Sequence, residues 1–507
     1  LIEHSKNKSK SVDFNLDIKE SILDVLRHPT VGSKNFLITI GDRNVGGLTY
    51  RDQLVGPYQV PVADNGITMS NFDSLEGEAM AIGERSPLAI EDAIASGRIA
   101  IAEALTNILS SGVEELSKVK LSANWMASPN TEKNNFDLYH TVKSISEDLC
   151  NKWNITIPVG KDSLSMETAW DNKKNTSPQS LIVSAFSQIP DVTKSVTPDF
   201  VKDEELVVAK IDFSSSKHRL GGSILSETLK IDLGEVPDVE AVEEFPKIFN
   251  FFAKLLQERK INSYHDISDG GLVSCLIEMM ISGNVGFKLK TEKTKKELSK
   301  FLFSEELGFI FQTSKKTFDE ILSFMDEIKS KKMLEVIGHT TDQEHLEIVS
   351  KEFNELIDLK TLISNWTFVS TKMQTLRDNP VCALEEASVF VERETNQLVQ
   401  KTTFKRFNTN ISFPSNPKIA VIRDQGINGQ VEMSAAFTKA GFKVLDVHMT
   451  DLKTDGVNLN EFVGMAFPGG FSYGDVLGAG RGWANSILMN SKLRDQFEIF
   501  FNRSETF

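Results

Sequence analysis

From residue 31 onward, short apolar strand-like runs alternate with longer segments whose apolar residues recur at helical spacing. That alternation restricts the chain to layered α/β and α+β architectures. Phe36-Leu37-Ile38-Thr39-Ile40 reads as a strand. Leu88 to Leu109 carries Ala93, Ala100, Ile101, Ala104, Leu105 and Ile108 at helical spacing. Lys118 to Trp125 reads as a strand, 137–150 as a helix and Ser180 to Phe186 as a buried strand. A second unit opens on Leu206-Val207-Val208-Ala209, holds a solvated Lys-rich segment over 290–300 and closes near Trp366. The pattern restarts at 417–507 with a strand over Lys418–Ile422 and a helix over Val431–Ala440. Residues 1–30 turn helix-like over Ile18–Leu26 and suit the tail of a domain whose body lies upstream. Residues 371–415 are polar and irregular and suit a connector.

At 507 residues there is room for about three domains, each with its own core. A net charge of −15 gives no support to a nucleic-acid face, which needs a basic surface. It leaves nucleotides open, because glycine loops and metal ions bind phosphate on an acidic protein. No apolar run approaches a membrane span, and no secretory signal is visible. Cys150, Cys275 and Cys382 are too far apart for a CxxC pair and offer no disulfide framework, so a cytoplasmic setting fits best.

Four segments carry candidate chemistry. In Gln59-Val60-Pro61-Val62-Ala63-Asp64-Asn65, an acid follows an apolar run and so belongs at a strand end. Glu103 and Asn107 are four apart on the long helix and share a face. Their oxygens suit a hard cation such as Mg²⁺, although the pattern alone favours a solvated helix face. In Tyr264-His265-Asp266-Ile267-Ser268-Asp269-Gly270-Gly271-Leu272, a strand runs into two glycines and an apolar helix, Leu272 to Met280. Gly270 and Gly271 would let backbone N–H groups approach a phosphate, with Asp266 and Asp269 holding a metal against it. An ordinary Asp-Gly-Gly turn with an aspartate cap explains the motif equally well. Pro158 to Met166 sets Gly160, Lys161, Asp162 and Ser163 together. Lys161 could contact phosphate as a point charge, or the segment could be a polar hairpin turn. The P-loop spacing is absent.

Taken together, these segments resemble the large single-chain form of the phosphoribosylformylglycinamidine synthase family. The matching runs are Gly41 to Leu48, Arg51 to Pro57, Gly77 to Arg85, Leu121 to Ala127, Gly160 to Met166, His265 to Leu272 and the glycine loop 468–483. They occur in the family's order and cover nearly the whole chain. The resemblance implies ATP-dependent conversion of formylglycinamide ribonucleotide and glutamine to formylglycinamidine ribonucleotide in de novo purine synthesis. It implies Mg²⁺ and ATP as cofactors, with ADP in an auxiliary site, and no nucleic-acid or membrane partner. The implied fold is a half of the aminoimidazole-ribonucleotide-synthetase type, followed by a class I glutamine amidotransferase domain that is flavodoxin-like. The expected segments are a remnant at 1–30, an N-terminal-type domain at 31–195, a C-terminal-type domain at 196–370, a linker at 371–415 and the glutaminase start at 416–507.

Position by position, Asp64, Glu103, Asn107 and Asp266 match the family's Mg²⁺ ligands, so Asp266 rather than Asp269 takes the metal role. Ala63 and Ser268 match nucleotide contacts. Gly160, Lys161 and Ser163 correspond to a Gly-Asn-Val-Ser segment of the small form that contacts ATP, metal and substrate; Lys161 and Asp162 replace its Asn and Val. Gly469, Gly470, Phe471 and Ser472 correspond to the oxyanion loop of the glutaminase, whose backbone N–H groups should face a thiolate. No cysteine follows Cys382. The resemblance therefore places the glutaminase Cys, His and Glu and the synthase His outside this chain. On that reading the chain is a fragment, inactive in isolation, with a marginal 417–507 segment. The rivals are a non-catalytic Mg-nucleotide-binding structural half and aminoimidazole ribonucleotide synthetase itself. The amidotransferase segment argues against the latter.

Overall fold

The computed structural model describes residues 16–44, 46–393, 403, 415–454, 456–478 and 480–507. They fall into two compact units, Leu1–Arg43 with Tyr50–Thr395, and Asn44–Thr49 with Asn396–Phe507. No helix among the described residues is long and apolar enough to cross a membrane.

The first unit is built on two sheets. One runs in the order β1-β2-β3-β8-β4-β5, from β1 (Thr49–Arg51), β2 (Asn65–Met69), β3 (Gly77–Glu84), β4 (Lys120–Met126), β5 (Thr156–Ser163) and β8 (Ser180–Ile189). A small hairpin, β6 (Glu167–Trp170) with β7 (Lys173–Thr176), lies outside it. The second sheet runs β10-β12-β9-β13-β11-β14-β15. Its strands are β9 (Val207–Asp212), β10 (Ile261–Ile267), β11 (Gly286–Lys290), β12 (Gly308–Thr313), β13 (Leu334–Thr341), β14 (His345–Val349) and β15 (Asn354–Asp358). Both are mainly antiparallel, with parallel pairs at β4–β5 and β11–β14.

The helix Ala93–Leu109 explains why the two sheets form one body. Its residues are apolar nearly all round, and almost every one is buried. A one-sided surface helix would alternate; this one is packed on both flanks. On one side a Cβ added at Gly83 of β3 would collide with the backbone of Ala100 and Ala104, so helix and strand touch directly. On the other, Ile101 and Leu105 share a continuous core with Ala209, Phe252, Phe309 and Phe311 of the second sheet and its helices. The two domains expected at 31–195 and 196–370 thus share a core.

Two local expectations differ from the structure. Phe36 to Ile40 does not form a strand: Asn35–Ile38 is a helical turn, with Leu37 and Ile40 exposed. A run of five residues, four of them apolar, does not distinguish a strand from a half-exposed turn. The helix expected over Ile18–Leu26 is present as Ile18–Arg27, and Ile18, Ile22, Val25 and Leu26 are fully buried in the core that holds Leu276, Phe287 and Trp366. The first part of the expected connector forms two helices, Phe368–Arg377 and Pro380–Glu392, the second capped by Asn379. The rest, 394–402 and 404–414, lies outside the described residues.

The second unit has a parallel sheet in the order β17-β16-β18, from β16 (Lys418–Arg423), β17 (Lys443–His448) and β18 (Gly464–Ala466). With the first strand central and the next two flanking it, this is the 2-1-3 order in which flavodoxin-like sheets begin. Ala420, Ile422, Val447, Leu452, Phe462 and Phe497 form its core.

Candidate metal and nucleotide site

The acidic residues of the first unit meet where its two sheets share the helix Ala93–Leu109. Asp64 stands immediately before β2 rather than after a strand as expected, because the preceding run makes only a single bridge, Leu54 with Val62. Its neighbour Asn65 is buried and anchors the turn: Nδ2 donates to the Asn107 carbonyl at 3.3 Å and to Ser110 Oγ at 2.7 Å. Asp266 comes from β10 of the other sheet. That strand is pinned to the same helix by the Tyr264 hydroxyl, which donates to the Thr106 carbonyl at 2.8 Å.

Glu103 and Asn107 do not form a solvated face. The Glu103 carboxylate accepts the Glu84 N–H at 3.0 Å, and Asn107 Nδ2 donates to the Ile82 carbonyl at 2.8 Å. That bond occupies the amide nitrogen and leaves the oxygen without a partner. Asp64 Oδ2, Asn107 Oδ1 and Asp266 Oδ2 are buried and have no hydrogen-bond partner. A buried acceptor without a donor costs about 1–3 kcal/mol, more if charged. Unpartnered oxygens of this kind suit a hard cation. Ligating atoms of Asp64, His265 and Asp266 lie within 4.8 Å of one another.

Electrostatics agree. Burial, then the charge of Asp266, pushes the Glu103 carboxyl well above its ordinary range, with Arg85 partly offsetting it. Burial likewise raises Asp64 against the pull of His265. Burial and the Asp64 charge push Asp266 up to about 7. Burial and mutual repulsion thus disfavour the charged form of these carboxyls, and a divalent cation would favour it. These residues fit Mg²⁺.

The neighbouring turn is occupied differently from expectation. Asp269 pairs with buried Arg85 at 2.6 Å, and Arg85 also pairs with Glu305 at 2.5 Å. Glu305 in turn accepts the N–H groups of Gly270 at 2.8 Å and Ile224 at 2.9 Å. The Gly271 N–H donates to the Ser268 carbonyl at 3.0 Å. Neither glycine N–H is therefore offered to a phosphate. Gly271 is required for space: its φ is +72°, and a Cβ would sit 2.7 Å from the backbone of Phe303 and Ser304. Ala63 and Ser268 are half-buried, one residue before Asp64 and two after Asp266, and the Ala63 N–H donates to the Gln53 carbonyl at 2.8 Å.

Gly160, Lys161 and Ser163 are not brought to the cluster. They lie on β5, which is the far edge strand, four positions from β2 in the sheet order. At a strand spacing of about 4.8 Å this is roughly 19 Å along the sheet. Lys161 Nζ donates to Ser163 Oγ at 2.6 Å.

Four residues near the cluster received no role from sequence reasoning. Arg85 organises the Asp269 turn. His265 donates between Asp64 Oδ1 at 2.6 Å and Glu278 Oε2 at 2.9 Å. Lys34 Nζ donates to the carbonyls of Thr30 and Gly32; burial lowers its pKa against the opposing charges of Glu278 and Asp269. Glu278 had a readable signal, as the lone charged residue of the apolar helix Gly271–Gly283.

In the second unit, the loop after β18 is held in place. Asn428 N–H donates to the Gly469 carbonyl at 2.9 Å, and Ile427 bridges Gly470. The Phe471 N–H, expected to face a thiolate, donates instead to the Gly426 carbonyl at 2.7 Å. Ser472 is buried. Tyr473 is left-handed at φ 55°, and its hydroxyl donates to Asp424 at 2.7 Å.

Comparison with known families assigns three segments in order. Residues 33–188 match the FGAR-AT PurM_N-like domain, 205–351 the C-terminal domain of AIR synthase related proteins, and 416–507 the CobB/CobQ-like glutamine amidotransferase domain. Among solved structures, Thermotoga maritima PurL complexed with ATP is 13% identical, with a TM-score of 0.49 over 69% of this chain and 52% of that one. The same protein complexed with FGAR gives 12% identity and 0.48 over 69% and 53%. Escherichia coli HypE, a hydrogenase maturation protein, gives 12% and 0.40 over 56% and 85%. The chain thus spans about half the length of the PurL structures it matches.

Proposed function

We propose, for a chain that belongs to the phosphoribosylformylglycinamidine synthase family, that the cluster of Asp64, Glu103, Asn107 and Asp266 binds Mg²⁺ together with an adenine nucleotide. The chain then serves the ATP- and glutamine-dependent conversion of formylglycinamide ribonucleotide to formylglycinamidine ribonucleotide. The observation that carries this reading is the trio of buried, unpartnered oxygens on Asp64, Asn107 and Asp266. They stand where the PurM_N-like and AIR-synthase-related segments meet.

When bound, the cation would neutralise nucleotide phosphate charge. The chain's own residues do the positioning. The Ile82 carbonyl fixes the Asn107 amide, Asn65 holds the Asn107 main-chain carbonyl, the Glu84 N–H holds Glu103, and Tyr264 ties β10, which carries Asp266, to the helix. Arg85, through Asp269 and Glu305, fixes the turn that follows Asp266. Lys34 is a half-buried cation near Glu278 and Asp269, suited to phosphate oxygens. Ala63 and Ser268, beside the metal ligands, are the proposed nucleotide contacts. Gly160 to Ser163, remote from the cluster, would serve a different ligand region on the edge strand β5. In the second unit, glutamine is the proposed amide donor, in keeping with the amidotransferase match.

The test is titration of the chain with ADP or ATP, with Mg²⁺ and with EDTA. Mg²⁺-dependent binding that is lost in Asp266→Lys supports the reading, since lysine cannot ligate Mg²⁺. Unchanged nucleotide occupancy in Asp266→Lys rejects it.

A further inference from the structure

His265 invites the assumption that it is a metal ligand, because its ring lies within 4.8 Å of the ligating oxygens of Asp64 and Asp266. Its hydrogen bonds say otherwise. Nδ1 is engaged with Asp64 Oδ1 at 2.6 Å and Nε2 with Glu278 Oε2 at 2.9 Å, so neither ring nitrogen has a free lone pair. Glu278 is itself fixed, because its other oxygen accepts the indole N–H of Trp366 at 3.1 Å. Both ends of the ring are thus held by groups that are anchored in turn. The chain of bonds runs Trp366, Glu278, His265, Asp64, and crosses from the helix Leu359–Trp366 through the helix Gly271–Gly283 and β10 to the turn before β2.

The consequence falls on Asp64. With Oδ1 occupied by His265, its rotation about the Cβ–Cγ bond is fixed, and Oδ2 is the atom left buried and unpartnered. This exchanges the roles found in many metal centres, where a carboxylate orients a ligating histidine. Here a histidine orients a ligating carboxylate.

We propose that His265 is a positioning residue that presents Asp64 Oδ2 to the bound cation, and that Glu278 and Trp366 hold His265 for that task. The proposal rests on the Mg²⁺ reading of the cluster. It predicts an asymmetry between two substitutions of similar size. In His265→Asn the amide nitrogen lies near the position of Nδ1 and can still donate to Asp64. In His265→Gln it lies near Nε2, keeps the bond to Glu278 and releases Asp64.

The experiment is Mn²⁺ titration of the full chain, read from the electron-paramagnetic-resonance signal of free Mn²⁺, with ADP present. Urea midpoints are recorded on the same samples. His265→Gln should weaken Mn²⁺ binding by about 10–100-fold, whereas His265→Asn should stay within about threefold of the wild type at a comparable urea midpoint. If His265→Gln does not fold, Glu278→Gln carries the test, with a smaller, few-fold weakening expected. Electron-spin-echo modulation with ¹⁵N-histidine labelling should show no directly bound histidine nitrogen. Equal losses in the Asn and Gln variants that track stability would reduce His265 to a structural residue and overturn the proposal. So would a directly coordinated histidine nitrogen, or wild-type affinity in His265→Gln. Asp266→Asn separates the two readings. If it loses Mn²⁺ while His265→Gln keeps it, the metal site stands and the positioning role falls. A wild type that binds no Mn²⁺ overturns both.

Discussion

Asp266→Asn should stabilise the metal-free protein at high pH and remove its stabilisation by Mg²⁺. The magnitude follows from the Asp266 carboxyl, which burial and Asp64 push from an ordinary 3.8 up to about 7. The folded state therefore holds a proton that the unfolded state has released, so stability falls as pH rises between these values and is level beyond them. A difference of 7 − 3.8, or 3.2 units, at about 1.36 kcal/mol each corresponds to roughly 4 kcal/mol of destabilisation above about pH 8. Near pH 5 only about 1.2 units, or roughly 2 kcal/mol, is expressed. Asparagine is isosteric and does not ionise. In EDTA its advantage over aspartate should therefore grow by about 2–3 kcal/mol between pH 5 and pH 8. With saturating Mg²⁺ the order should reverse, because only the wild type gains from cation binding. Urea unfolding at the two pH values, each with EDTA and with Mg²⁺, measures all four terms. An asparagine variant less stable by a constant amount at both pH values, and equally responsive to Mg²⁺, would refute the argument.

Arg85→Met leaves Asp269 and Glu305 buried without their cation and should cost about 3–5 kcal/mol in urea unfolding; a loss below about 1 kcal/mol would show the network is not coupled to folding. Gly271→Ala introduces a Cβ against the backbone of Phe303 and Ser304 at positive φ and should cost at least about 2 kcal/mol, read as a lowered melting temperature; an unchanged melt counts against the close packing described here. Tyr473→Phe removes the bond to Asp424, worth about 1 kcal/mol, and should speed amide exchange across 470–475 while leaving the first unit unchanged; equal exchange would mean the bond does not hold the loop.

What the sequence disclosed was set by how local each signal is. The helix Ala93–Leu109 and the strands at 120–126, 180–189 and 418–423 were readable because their apolar spacing continues for several residues. Phe36 to Ile40 was misread because a short apolar run carries no period, and its fate was decided by neighbours distant in sequence, such as Ser370, whose hydroxyl accepts the Phe36 N–H. The tail-like Ile18–Arg27 has its apolar stripe covered by Trp366 and Leu276, more than two hundred residues away, which no local pattern reveals. The motifs holding Asp64, Glu103 with Asn107, and Asp266 with Asp269 could be grouped as one site from their residue types, and the family resemblance chose Asp266 over Asp269; the spacing of Glu103 and Asn107 alone pointed to solvent. Gly270 and Gly271 show the limit of motif reasoning. A glycine pair before a helix suggests a phosphate cradle, but here the carboxylate of Glu305 and the carbonyl of Ser268 take both N–H groups.

The central claim is that Asp64, Glu103, Asn107 and Asp266 form one cation site. Crystals of the chain grown with Mn²⁺ and ADP, with anomalous scattering recorded at the manganese edge, test it directly. The account predicts an anomalous peak about 2.0–2.3 Å from Asp64 Oδ2 and Asp266 Oδ2, with Glu103 or Asn107 completing the set and His265 outside it. Crystals in which ADP is bound and this cluster has no peak, or in which the metal lies elsewhere in the chain, would contradict it.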